Sequence, residues 1–232
     1  MMPVLRELAA AYQARHPHVW VDVQGGGSAI GVRLLKTGAA DLAAVSWRAD
    51  ADAQQTPAGA TAIPIGRDAV AVVVHPKNNV GKLTLLQVRA IYRGEVLDWS
   101  ALGGPAEEPL IVSREDGSGT RAAFEALVMG GDRVTLNARV MPTSAAVVDY
   151  VARHRAAICY VTMAALTDTV RALPVEELLP TPAAVRSGAY HLSRVLYLYA
   201  ADPTPPAAQA FMDFVLSPAG QTIVAKFHVS LR

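Results

Sequence analysis

The chain is poor in several features that would place a protein quickly, and each shortage excludes something. It has one cysteine, Cys159, so no internal disulfide can form. Within Ala156-Ala157-Ile158-Cys159-Tyr160-Val161 that cysteine reads as a small buried hydrophobe, not a reactive thiol. Apolar runs are short, such as the six residues Ala69 to Val74, whereas a membrane-crossing helix needs about 20. An excess of one charge is also missing: 21 Lys and Arg against 20 Asp and Glu give a net charge of +1. Broad binding to nucleic acid or to a membrane surface needs a basic footprint, so neither is expected. Any anion must then be held by local groups. The start, Met1 to Ala9, has no basic region, long apolar core and cleavage site in order, and as written carries no export signal. Of six histidines only His16 and His18 are close, with Pro17 between them, so no metal site is expected. Position suggests no carboxylate pair and no Ser/His/Asp set, so no enzymatic activity and no cofactor are expected.

What the chain does have is a hydrophobic fraction of 52% over 232 residues, enough for one large domain or two small lobes. Apolar residues at helical spacing (Val4, Leu5, Leu8, Ala9, Tyr12) predict a helix over 2–15, stopped by His16-Pro17. Residues 19–24 alternate and predict a strand; Gly25 to Ser28 form a turn into a helix reaching Lys36, and Leu42 to Val45 form a short strand. A polar loop is expected over 49–60. A long strand follows over 62–74, interrupted near Gly66, then a helix over 84–92 capped by Thr84. Further strands are expected at 110–112, 158–161 and 190–200, and helices at 118–129, 143–153, 205–216 and 218–227. Strands alternating with helices predict an α/β fold with a mostly parallel sheet. The two long strands divide the chain, so one lobe is expected from both ends and another from the middle.

The informative places are strand-to-helix turns, where α/β proteins bind ligands. A helix start offers unpaired N–H groups and about half a positive charge, which attracts anions without any lysine. The first such turn is Gly25-Gly26-Gly27-Ser28, and the second is Ser46 at the end of a strand. The third, Ser113-Arg114-Glu115-Asp116-Gly117-Ser118-Gly119-Thr120-Arg121, is the richest, combining arginines, hydroxyls and glycines. An arginine can grip two anion oxygens, while Ser118 and Thr120 can donate from the first helical turn. Gly117 to Ala122 also satisfies the dinucleotide pattern G-x-G-x-x-A, which keeps a nucleotide-binding or enzymatic domain open as a reading. That pattern wants an acidic residue about 20 positions on at a strand end, and Asp132, after Gly130-Gly131, is the nearest candidate.

These stretches resemble the phosphate-binding proteins of ABC-type phosphate uptake systems. The likeness is carried by Gln24 to Ser28, Gly38 to Ser46 and Ser113 to Arg121, with support from Leu83 to Trp99, Tyr190 to Tyr199 and Phe211 to Gln221. It runs in order along nearly the whole chain. It implies an α/β, two-lobed periplasmic-binding-protein fold of type II, with mixed sheets and a hinge, that closes on one phosphate. Lobe 1 would comprise 1–68 and 192–232, and lobe 2 would comprise 69–191. By the same resemblance, inorganic phosphate would be held by Ser28, Ser46, Arg114, Ser118, Gly119 and Thr120, with Asp116 orienting Arg114. The expected partners are the permease and ATPase of a phosphate transporter, and the expected setting is the periplasm or cell exterior, as a monomer.

Three departures from the family stand out. Some members carry an acidic residue where Ser46 stands, which accepts the proton of phosphate and rejects sulfate. Ser46 discriminates less, so sulfate, molybdate or tungstate remain alternative ligands. Tyr190, His191 and Val195 replace usual prolines. The family also begins with a strand and a Ser/Thr-rich phosphate loop that this chain lacks, and both are expected upstream of Met1 together with a secretory leader. Without that loop two charge-assisted hydrogen bonds are lost, each worth about 1.5–3 kcal/mol.

Overall fold

The structure is a computed structural model, and it describes residues 1–46 and 59–231. In chain order the elements are helix α1 (Met2–Gln13), helix α2 (Ser28–Lys36), strand β1 (Leu42–Val45), strand β2 (Thr61–Val74), helix α3 (Leu85–Arg93) and strand β3 (Leu110–Arg114). Helix α4 (Gly119–Phe124), strand β4 (Arg139–Met141), helix α5 (Ser144–Arg153), strand β5 (Ala157–Thr162) and strand β6 (Arg171–Ala172) follow. Helix α6 (Pro182–Ser187), strand β7 (Ser193–Ala200), helix α7 (Pro206–Leu216) and helix α8 (Pro218–Val224) complete the set.

Most starts and stops have a local cause. Thr84 caps α3 by accepting from the Gln87 amide while the Gln87 side chain accepts from the Thr84 amide, a reciprocal capping box. Gly94 ends that helix in the left-handed conformation. Proline stands in the first turn of α1, α6, α7 and α8, where its missing N–H is harmless. The helix expected over 118–129 is α4 followed by a π-helical turn, Glu125–Met129.

The chain divides into two compact units. The first comprises Met1–Asp68, Gly117–Gly119 and Arg194–Arg232. Its strands run in the order β1-β7-β2, with β1 antiparallel to β7 through pairs such as Leu42 with Ala200. The apolar stripe of α1 (Val4, Leu5, Leu8, Tyr12) packs with Ile65, Leu196 and Leu198 of the strands and with Phe211, Met212 and Val215 of α7. The second unit comprises Ala69–Asp116 and Thr120–Ser193. Its strands run β2-β5-β3-β4, with β6 also on β2. Here β2 is antiparallel to β5 and β6, while β3 is parallel to both β4 and β5. Ala71, Val73, Val112, Val147, Val151 and Cys159 form its core. Burial pushes the Cys159 thiol pKa up, as a structural cysteine requires.

Four sequence expectations are corrected. The sheet is mixed, not mostly parallel, because β2 and β7 enter with antiparallel partners. Residues 19–24 are not a strand. Their alternation is real, since Val19, Val21 and Val23 pack on the first core while Trp20 is 82% exposed, but a strand also needs a ladder partner. The Val21 amide donates instead to the Gln13 side chain. Gly66 does not interrupt β2; a Cβ there would lie 3.0 Å from the Val229 carbonyl oxygen, so glycine lets the C-terminal tail approach. Strand β7 begins at Ser193, not Tyr190, and β4, β6 and α6 are additional elements. The loop expected over 49–60 falls largely outside the described residues.

Candidate functional site

In the first unit the turn before α2, the end of β1 and the segment Gly117–Gly119 lie against one another. Gly27 is the N-cap of α2 at φ 88°, a conformation that favours glycine. A Cβ at that position would also meet the Gly117 carbonyl oxygen at 2.5 Å. Two independent reasons thus require glycine there. The Gly117 carbonyl accepts from the Ala29 amide at 3.3 Å. The Ser46 amide donates to Ser28 Oγ at 3.1 Å, which leaves the Ser28 hydroxyl proton directed elsewhere. Gly119 packs so closely on Ser28 that a side chain would collide with its hydroxyl, and an added Cβ would stand 3.2 Å from that of Ser46. The structure therefore brings together Ser28, Ser46, Ser118 and Gly119 of the expected set, and Ser118 is buried.

Three buried residues of the same unit support this turn. Arg194 of β7 donates through Nε (3.0 Å) and Nη2 (2.6 Å) to Oδ2 of Asp68, on β2. Its Nη1 donates to the Gly119 carbonyl at 3.1 Å. His228 Nδ1 stands 3.2 Å from Asp68 Oδ1, and a carboxylate can only accept there. Burial, the largest single influence on Asp68, pushes its pKa up. The Arg194 charge and the His228 hydrogen bond together outweigh it and hold the carboxyl well below the usual range. Position in sequence gave no hint of this cluster, since Asp68 and Arg194 are 126 residues apart. A signal was present nonetheless: each is a charge directly before an apolar run, Ala69 to Val74 and Val195 to Ala200.

In the second unit Arg114 ends β3, whose preceding residue Ser113 shares a 2.7 Å hydrogen bond with the Tyr160 hydroxyl. Burial pushes the Tyr160 pKa up, so that phenol stays neutral. The Arg114 guanidinium is held by its neighbour Glu115, through Nε (3.0 Å) and Nη2 (2.8 Å). It also donates to the Met141 and Pro142 carbonyls and to Ser144 Oγ at the start of α5. The expectation that Asp116 orients Arg114 is therefore corrected. Asp116 pairs with Arg121 at 2.5 Å, and its side chain is 92% exposed. Arg121 in turn bonds Glu125 and the Arg114 carbonyl, so the second arginine of the loop braces the backbone of the first. Thr120, the remaining expected contact, is buried and opens the part of α4 that belongs to this unit.

The dinucleotide pattern does not acquire its acidic partner. Asp132 follows the π-helical turn instead of ending a strand, and it pairs with Arg93 on the surface. Among the described residues no group of three or more His, Cys, Asp or Glu could hold a metal ion. No helix of the described residues is long and apolar enough to cross a membrane.

Known proteins share sequence and fold with this chain. The model of the PBP superfamily domain matches residues 1–219. The phosphate-binding protein PstS of Pseudomonas aeruginosa is 30% identical, with the alignment covering 94% of this chain and 76% of that protein. PstS of Bacillus subtilis is 27% identical, covering 94% and 72% respectively. Among solved structures, a protein of Clostridium perfringens assigned to the substrate-binding proteins of phosphate ABC transporters, with phosphate bound, is 31% identical with a TM-score of 0.94. That match covers 100% of this chain and 96% of the other. An ABC-type phosphate transport receptor from Vibrio cholerae gives a TM-score of 0.84 at 27% identity, also over 100% and 96%. The mixed α/β fold found here is the fold of these structures.

Proposed function

Because this chain belongs to the PBP superfamily domain family, we propose that it is a solute-binding protein that captures inorganic phosphate and delivers it to an ABC transporter. The observation that carries this reading is the turn Gly117–Gly119 against Ser28 and Ser46. The Ser28 and Ser46 hydroxyl side chains lie there beside Gly27 and Gly119, neither of which admits a side chain. Such a turn holds a small oxyanion through N–H groups and needs no net positive charge, which suits a chain of net charge +1. Phosphate oxygens are assigned to Ser28, Ser46, Ser118 and Gly119, together with Arg114 and Thr120. Arg114 is kept in place by Glu115, Ser144 and two carbonyls.

The protein works outside the cytoplasm, as a single chain, and catalyses nothing. Its partners are the permease and ATPase of the transporter. Isothermal titration calorimetry with phosphate, sulfate and molybdate tests the reading. One phosphate per chain, bound more tightly than sulfate, is the expected result. No heat with phosphate at millimolar concentration would overturn it, and tighter binding of molybdate or sulfate would reassign the ligand among tetrahedral oxyanions.

A further inference from the structure

The buried cluster of Asp68, Arg194 and His228 lies outside the residues assigned to phosphate, yet it reaches them through one carbonyl. The side chains are almost fully enclosed, at 0% exposure for Asp68 and 2% for both Arg194 and His228. An ion pair so deeply buried is a poor source of stability, because the loss of hydration offsets most of the attraction, and apolar residues of similar volume often serve as well. What apolar residues cannot do is hold a carbonyl in one direction. Arg194 does this: its Nε and Nη2 are fixed on one oxygen of Asp68, and His228 occupies the other oxygen. The remaining Nη1 edge is thereby aimed at the Gly119 carbonyl, 3.1 Å away.

The consequence follows from the peptide bond. The carbonyl of Gly119 and the N–H of Thr120 lie on opposite edges of one planar trans unit, so fixing one fixes the other. Hydrogen bonding to the carbonyl by a cation also polarises that N–H and makes it a better donor. Gly119 has no side chain of its own to restrain this peptide, and Arg194 adds a restraint from β7 to the one that the start of α4 supplies.

We propose that Arg194, held by Asp68 and His228, is a positioning residue that sets the direction of the Gly119–Thr120 peptide and through it the affinity for phosphate. The inference rests on the function proposed above. Arg194 acts by way of Gly119 and not by touching the anion.

Calorimetry with inorganic phosphate on the parent protein and on Arg194→Lys tests it. Lysine keeps a cation beside Asp68 but offers one nitrogen in place of three, so it cannot serve Asp68 and Gly119 together. The expected result is a folded protein of similar thermal midpoint, still binding one phosphate, with Kd raised at least about tenfold. A purely structural role would move the midpoint and leave Kd of the folded protein alone, so a folded Arg194→Lys with Kd within about threefold of the parent overturns the proposal. Should that variant fail to fold, the parent is titrated with phosphate and followed by NMR. Joint movement of the Arg194 Nε–H and Thr120 amide resonances supports the coupling, and an unmoved Arg194 signal overturns it. A parent that gives no heat with phosphate removes the underlying function, and this inference with it. Heat from the parent with unchanged Kd in the variant removes only the inference.

Discussion

Two arginine–carboxylate pairs in this protein use the same groups to opposite ends. Arg194 and Asp68 lie in the first unit, on strands far apart in sequence but adjacent in the sheet, and are 2% and 0% exposed. Arg114 and Glu115 are adjacent in sequence, 10% and 33% exposed, within the second unit. In the buried pair both carboxylate oxygens are engaged, Oδ2 by Arg194 and Oδ1 by His228, and the side chains are shut off from water. In the other, Glu115 reaches water and can yield, while Ser144 and the Met141 and Pro142 carbonyls keep the guanidinium in place. Both arginines are buried, and what separates the two pairs is the exposure of the carboxylate, not residue type.

The strongest way to break this contrast is to remove one partner of each pair. Arg194→Met leaves Asp68 charged and uncompensated in the interior, and unfolding in urea is expected to show a loss of about 3–5 kcal/mol. A loss of under about 1 kcal/mol would erase the distinction. Arg114→Ala is expected to leave the fold intact but to weaken phosphate binding about ten- to a hundredfold by calorimetry, since it removes a charged donor worth about 1.5–3 kcal/mol. Ser28→Ala removes a neutral hydroxyl and should cost less than Arg114→Ala, and equal losses would contradict the ranking.

Acid sharpens the comparison further. The Asp68 carboxyl titrates well below its range in the unfolded chain, so it contributes stability that is fully present above about pH 4 and lost as pH falls through its folded pKa. Asp68→Asn should flatten the acid limb of stability against pH, measured by thermal melts below about pH 4. An unchanged slope would show that the pair does not govern acid unfolding. The smallest effect is expected at the surface: Asp116→Asn removes an exposed partner of Arg121 and should leave both melting temperature and phosphate affinity unchanged. A clear loss of affinity would return Asp116 to the orienting role that the structure gives to Glu115.

Much of the secondary structure was legible because its causes are local. The stripe Val4, Leu5, Leu8 and Tyr12, the cap at Thr84 with Gln87, and the strand Leu42 to Val45 each lie within a dozen residues. The richness of Ser113 to Arg121 was legible for the same reason. The residues 19–24 were misread because alternation reports which side chains are buried, while strand formation depends on a neighbour that alternation cannot supply. Asp116 was misread because three acidic or basic neighbours in one loop offer several pairings, and only coordinates choose among them.

From its own letters the chain determined which stretches coil or extend, where glycine and hydroxyl cluster, and that no global field could hold an anion, since period and charge are properties of short segments. Tertiary structure alone decided that an aspartate and an arginine 126 residues apart meet in the interior and grip the carbonyl of Gly119. The reason is physical: a buried charge must find its counterion wherever the fold brings one, and sequence distance does not enter that energy.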